Sequence, residues 1–155
     1  MEHIQVGQNV PNFILFASNG KEVSLHDFKG KKVVIYFYPK DMTPGCTTES
    51  CDFRDYNSQF KNLHTEVIGI SPDDLKSHEE FIAKYELPFL LLSDTEHQIA
   101  ELFDVWKLRN KDGKEFMGVE RATFLIDEEG KLVKEWRKVN VEGHVQEVLD
   151  AVKNI

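Results

Sequence analysis

Three short stretches of this chain are apolar without alternation. "KKVVIYFY" (31–38) ends in a run of six apolar or aromatic residues, and "EVIGIS" (66–71) and "ATFLID" (122–127) have the same character. Such runs predict strands buried on both faces, in the middle of a sheet covered by helices. Between the first two, Phe53, Tyr56 and Phe60 recur at helical spacing in a segment free of Pro and Gly after Gly45. This predicts a helix to about Leu63 with an apolar stripe. Strand, helix, strand in that order predicts parallel pairing through a crossover.

Further along, "SPDDLKSHEEFIAKYE" predicts a helix with Ser71 as N-cap, Pro72 at its first position and Asp74 closing a capping box. Its inward face is Leu75, Phe81, Ile82 and Tyr85. "PFLLLSD" predicts a short buried strand, and "TEHQIAELFDV" a helix with Ile99, Leu102 and Phe103 inward. "NKDGKEF" predicts a hairpin turning at Asp112-Gly113. "DEEGKLVKEW" predicts a second, joining strand 122–127 to strand 131–137. "VEGHVQEVLDAVKNI" predicts an amphipathic helix. The pattern amounts to one α/β domain over residues 1–155, with a central mixed β-sheet and helices on both faces.

Composition adds exclusions. The chain has 155 residues, enough to bury a core without disulfide staples, and a net charge of −8. That balance argues against a nucleic-acid or anionic-membrane surface. No apolar run approaches membrane-spanning length. The N-terminus lacks a basic region followed by an apolar stretch, so the expected location is cytoplasmic. Trp106 and Trp136 read as core or edge packing.

The chemistry concentrates in "YPKDMTPGCTTESC" (38–51), which holds both cysteines. Pro39 ends the strand. Thr43 is a good N-cap and Pro44 suits the first helical position. Cys46 then falls in the first helical turn, on the helix's polar side, facing unpaired N–H groups and the positive end of the dipole. Cysteines so placed have pKa values of ~3.5–7.5 instead of about 8.5. A free cysteine is often only a small buried hydrophobe. A metal site is a weaker reading, because C-x4-C lacks the ligand spacing of zinc or iron–sulfur sites. The six histidines, His78 among them, read as surface or helix-face residues. In an unbroken helix, residues 46 and 51 lie ~8.6 Å apart between Cα atoms. A disulfide needs them closer than ~7 Å. Either the thiols never bond or the first turns unwind when they do.

Pro39, Thr43 and Cys46 fit the P-x-x-x-[TS]-x-x-C motif of the peroxiredoxins, and "YPKDMTPGCTTESCDFRD" resembles the Q-type branch, the bacterioferritin-comigratory proteins. The resemblance extends from "VGQNVPNFIL" through "SHEEFIAKYELPFLLLSD" to "GVERATFLID". It implies a thioredoxin-like fold and a thiol-dependent peroxidase acting on hydrogen peroxide and organic hydroperoxides. By resemblance, Cys46 is the peroxidatic cysteine and Cys51 the resolving one, which closes an intramolecular disulfide. Thr43 offers its hydroxyl to the peroxide, Pro39 shields the thiolate, and Arg121 is the active-site arginine. Glu49, taken alone an ordinary first-turn acid, is placed to hold Arg121. The resemblance implies no cofactor or metal, a monomer, and thioredoxin or a similar dithiol as reductant. A general thiol–disulfide oxidoreductase and a redox sensor remain as alternatives; the missing C-x-x-C pair counts against the first.

Overall fold

A computed structural model describes residues 3–155. Seven strands form one mixed sheet. They are β1 (Ile14–Ala17), β2 (Glu22–Ser24), β3 (Lys32–Phe37), β4 (Thr65–Ser71), β5 (Leu90–Ser93), β8 (Ala122–Ile126) and β9 (Leu132–Arg137), in the order β2-β1-β5-β4-β3-β8-β9. Strands β3, β4 and β5 pair in parallel. The flanking pairs β1–β5, β1–β2, β3–β8 and β8–β9 are antiparallel. β6 (Trp106–Lys111) and β7 (Lys114–Val119) form a separate hairpin that turns at Asp112-Gly113 as expected, with both residues at positive φ.

The apolar runs occupy the centre of the sheet. Along β3, Val33, Ile35 and Phe37 point to one face and Val34 and Tyr36 to the other. The first face is covered by α3 (Gln98–Leu102) and the N-terminal segment, through Ile99, Ala100, Phe103, Val10 and Phe13. The second lies under α1 (Pro44–Asn62), α2 (Leu75–Tyr85) and α4 (His144–Lys153), which contribute Phe53, Phe60, Phe81, Val148 and Leu149. Each fully buried side chain of this size contributes ~1.5–3 kcal/mol. No helix among the described residues is long and apolar enough to cross a membrane.

Some expectations need correction. The β1–β2 pair carries no strong apolar run and was not expected. Ser71 does not cap α2: it ends β4, its Oγ bonds Asp73 Oδ2, and the helix starts four residues later, at Leu75. Asp74 is the N-cap, accepting from Ser77 N–H. Of the histidines read as surface or helix-face residues, His78 and His144 lie on helix faces, but on the buried ones of α2 and α4. Each had a signal in the sequence. His78 falls three and four positions before Phe81 and Ile82, and His144 four and five before Val148 and Leu149, so both share the inward stripe.

Candidate active site

The site forms where β3 gives way to α1. Thr43 holds the N-cap position with extended backbone, and Pro44 opens the helix. The Thr43 side chain makes no capping bond, contrary to the sequence expectation. Its Oγ1 donates instead to the Lys40 carbonyl at 2.9 Å. The helical ladder begins with Thr47 N–H donating to Thr43 O, so the N–H groups of Gly45 and Cys46 lie before it. No acidic side chain stands in the first turn. The positive end of α1 is therefore neither capped nor neutralised by its own helix.

Cys46 sits in that first turn but not on a polar side. It is fully buried, in the cluster that includes Tyr36, Tyr38 and Phe53. Beneath it, Tyr36 stacks on Phe53 with ring centres 4.6 Å apart, and its hydroxyl lies 2.8 Å from Ser50 Oγ. Burial pushes the Tyr36 hydroxyl well above the usual phenol range, so it stays protonated.

Arg121 reaches this thiol from the start of β8, the strand beside β3. β8 runs antiparallel to β3 with Ala122 opposite Phe37, which brings Arg121 beside the end of β3. Its carbonyl accepts from Val139 N–H at 3.1 Å. Its Nη2 donates to Cys46 Sγ at 3.3 Å, and its Nη1 donates to Glu49 Oε1 at 2.7 Å. Burial works against the guanidinium charge, but Glu49 and Cys46 outweigh it and hold the pKa above the ordinary arginine value. Gly45 leaves room for this approach: a Cβ there would sit 3.2 Å from Nη2.

Glu49 is in the second turn, not the first, and is fully buried. Burial raises its pKa to about 7 despite the pull of Arg121, with Asp52 adding to the rise. Its Oε2 has no hydrogen-bond partner. Pro39 is exposed at the end of the strand.

Cys51 is half-buried one and a half turns along the same unbroken helix, and both cysteines are free. Burial raises the Cys51 pKa, with Asp55 and Asp52 reinforcing and Arg54 opposing. The structure thus brings Cys46, Arg121 and Glu49 together, leaves the Thr43 side chain bonded to Lys40 at the start of the same helix, and holds Cys51 apart. The polar groups around Asp41 and His78, next to this site, were not singled out from the sequence.

The sequence profile of the AhpC/TSA family matches residues 6–135. Peroxiredoxin Bcp of Bacillus subtilis is 57% identical over 152 residues, covering 98% of this chain and 97% of that protein. The chain is a peroxiredoxin of the AhpC/TSA family. Peroxiredoxin Bcp of Escherichia coli K12 is 39% identical, over 99% of this peroxiredoxin and 98% of the relative. Among solved structures, a cysteine-to-serine mutant of Xylella fastidiosa PrxQ superposes with a TM-score of 0.94 at 37% identity, over 99% of this chain and 98% of that one. The bacterioferritin comigratory protein of Xanthomonas campestris, studied for alkyl peroxide reduction, superposes with a TM-score of 0.88 at 44% identity, over 92% and 90%. The fold is thioredoxin-like, and the chemistry of the family is thiol-dependent peroxide reduction.

Proposed function

We propose that this peroxiredoxin reduces hydrogen peroxide and organic hydroperoxides at Cys46, and that Cys51 resolves the oxidised form. The observation that carries the reading is the Arg121 Nη2 donor 3.3 Å from Cys46 Sγ, at a helix start with no side-chain cap.

The Cys46 thiolate attacks one oxygen of the peroxide in line with the O–O bond. The S–O bond forms, the O–O bond breaks, and the second oxygen leaves as hydroxide or alkoxide and takes a proton. Cys46 becomes a sulfenic acid. Negative charge moves from sulfur to the leaving oxygen, so donors fixed in advance favour that transition state. Arg121 supplies a planar, permanently charged fork. The Gly45 and Cys46 N–H groups add neutral donors. The Thr43 proton is engaged with Lys40 O, so its hydroxyl oxygen faces a peroxide O–H as an acceptor. Pro39 shields the thiolate from bulk water. Glu49 holds the guanidinium in plane through Nη1.

The Cys51 thiol then condenses with the sulfenic acid. An S–S bond forms and water leaves. Both cysteines lie within α1, so the first turns must unwind for this step. Until they do, the raised pKa of Cys51 keeps it a thiol that competes poorly for peroxide. A dithiol such as thioredoxin reduces the disulfide by exchange and is itself oxidised. A reducing cytoplasm is the setting in which two free thiols persist.

The test is stopped-flow oxidation of reduced protein by one equivalent of hydrogen peroxide, with intact mass at the end point. The folded chain should react orders of magnitude faster than the denatured chain and end two hydrogens lighter, and Cys46→Ser should abolish both effects. Equal rates for folded and denatured chains would refute the reading.

A further inference from the structure

A second buried polar cluster lies beside the site and takes no part in the steps above. It centres on Asp41, in the connection 38–43 between β3 and α1. Tyr38 Oη donates to Asp41 Oδ1 at 2.6 Å, and Ser77 Oγ donates to Oδ2 at 2.8 Å. His78 Nδ1 lies 2.7 Å from the same Oδ2. The Asp41 N–H donates to Asp73 Oδ2 at 2.8 Å. On the other side of the ring, His78 Nε2 lies 3.1 Å from the Leu92 carbonyl. The Asp41 and His78 side chains are 1% and 0% exposed.

Counting protons closes this network. A carbonyl oxygen only accepts, so His78 Nε2 carries a hydrogen. Nδ1 faces a carboxyl oxygen at bonding distance, so a second hydrogen lies between those two atoms. Whichever atom holds it, the pair shares one proton and is neutral as a whole. That neutrality is what makes its complete burial tolerable. Asp41, Asp73 and His78 have the mutual spacing of metal ligands, but both ring nitrogens and both Asp41 oxygens are already engaged in these bonds.

The position of the network gives it a consequence. Asp41 bonds Tyr38, whose own N–H donates to Ile70 O of β4 at 3.1 Å, and ties the connection to α2 through Ser77 and His78 and to the β4–α2 loop through Asp73. Its partners all lie outside the first turns of α1. Immediately after it, Met42 adopts a left-handed backbone with φ of 67°. The first turns of α1 can therefore unwind about Met42 while Asp41 stays in place.

We propose that the Asp41–His78 pair anchors the catalytic loop: it holds the start of α1 in the helical, peroxide-reactive arrangement and sets how readily residues 44–50 release for disulfide closure. Both are positioning residues. The statement about closure rests on the Cys46–Cys51 reading; the statement about anchoring does not.

The experiment compares reduced wild type, Asp41→Asn and a control, Val152→Ala, which truncates a fully buried core residue of α4. Amide exchange of residues 44–50, global stability in urea and stopped-flow oxidation are read on each. Removing one partner of a buried pair leaves the other uncompensated, so Asp41→Asn should speed exchange in 44–50 on the order of tenfold or more beyond the control at equal global stability. Disulfide closure should accelerate by a similar factor while the peroxide step slows. Nitrogen NMR of the His78 ring should show both ring nitrogens carrying or sharing a hydrogen at neutral pH, a signature lost in Asp41→Asn. Ser77→Ala removes one bond to Asp41 and should give a smaller rise in the same segment, which decides the matter if Asp41→Asn does not fold. Exchange no faster than in the control, or a His78 ring nitrogen with no hydrogen bond, overturns the anchor. If wild type forms no disulfide, the role of Cys51 fails, and the exchange data still decide the anchor.

Discussion

Replacing Glu49 with glutamine should make the protein more stable at neutral pH and less reactive toward peroxide. In the unfolded chain this carboxyl loses its proton near 4.5; in the folded chain it does so near 7, because burial outweighs the attraction of Arg121. Between those values the folded state holds a proton that the unfolded state has lost. The group therefore favours folding at low pH, and its contribution disappears as pH rises toward 7. The interval from 4.5 to about 7 is equivalent to about 3 kcal/mol. Glutamine mimics the protonated acid and escapes this cost. Glu49→Gln should match wild type near pH 4.5 and exceed it by about 3 kcal/mol at pH 8.

His144 complicates the wild-type curve but not the comparison. Burial, helped by Arg121, lowers its pKa from 6.5 to about 4. Its contribution is present above 6.5 and lost as pH falls toward 4, opposite in sign to that of Glu49. The two oppose each other in wild type, so the stability of the glutamine variant should rise more steeply with pH than that of wild type. Urea titrations of the reduced proteins at several pH values measure this. With m of about 1–3 kcal/mol/M, the midpoints at pH 8 should differ by roughly 1–3 M. Arg121, its Nη1 held by a neutral amide oxygen in place of a carboxylate, should lose alignment on Cys46 and slow the peroxide step ~10- to 100-fold. A variant less stable than wild type at pH 8, or one with an unchanged pH slope, would refute the reasoning. A buried ion pair of this kind orients a cation at a cost in stability.

Gly45→Ala should leave stability unchanged or slightly raised, by up to ~1 kcal/mol. Its Cβ would press on Arg121 Nη2 at 3.2 Å, so stopped-flow oxidation of Cys46 should slow; an unchanged rate would mean that guanidinium placement is not limiting. Cys51→Ser should preserve the first oxidation and make Cys46 more prone to sulfinic acid formation under excess peroxide, read by intact mass. Gly69→Ala should destabilise by ~1–3 kcal/mol in urea, since its Cβ would lie 2.6 Å from Leu91 Cδ2 and 2.8 Å from Tyr36 Cζ.

The central strands and α1 were legible because an apolar run and a helical stripe each fix a period. β1 and β2 were not: Ile14 and Phe16 face solvent, so the pattern there does not concentrate apolar residues. Thr43 was legible as a helix start but not as a donor to Lys40, because a threonine can satisfy either bond. The burial of Cys46 also escaped, since its neighbours in sequence are small and polar while the aromatics that enclose it come from β3 and the next turns of α1. Arg121 and Glu49 entered through the family motif alone. Nothing in their spacing says that strand pairing joins them. The Asp41–His78 pair joins the connection after β3 to α2, segments far apart in sequence. Only the helical stripe through His78 and Phe81 hinted at it.

The Arg121–Cys46 contact joins residues 75 positions apart. On the ribosome, Cys46 emerges well before the residue that completes its pocket. At 5–20 residues per second this interval is roughly 4–15 s. Throughout it the nascent chain carries the thiol without the arginine. Only when β8 pairs with β3 does the cysteine gain its partner. On the function proposed above, a chain that has not yet reached β8 therefore carries Cys46 without the donor that would make it peroxide-reactive.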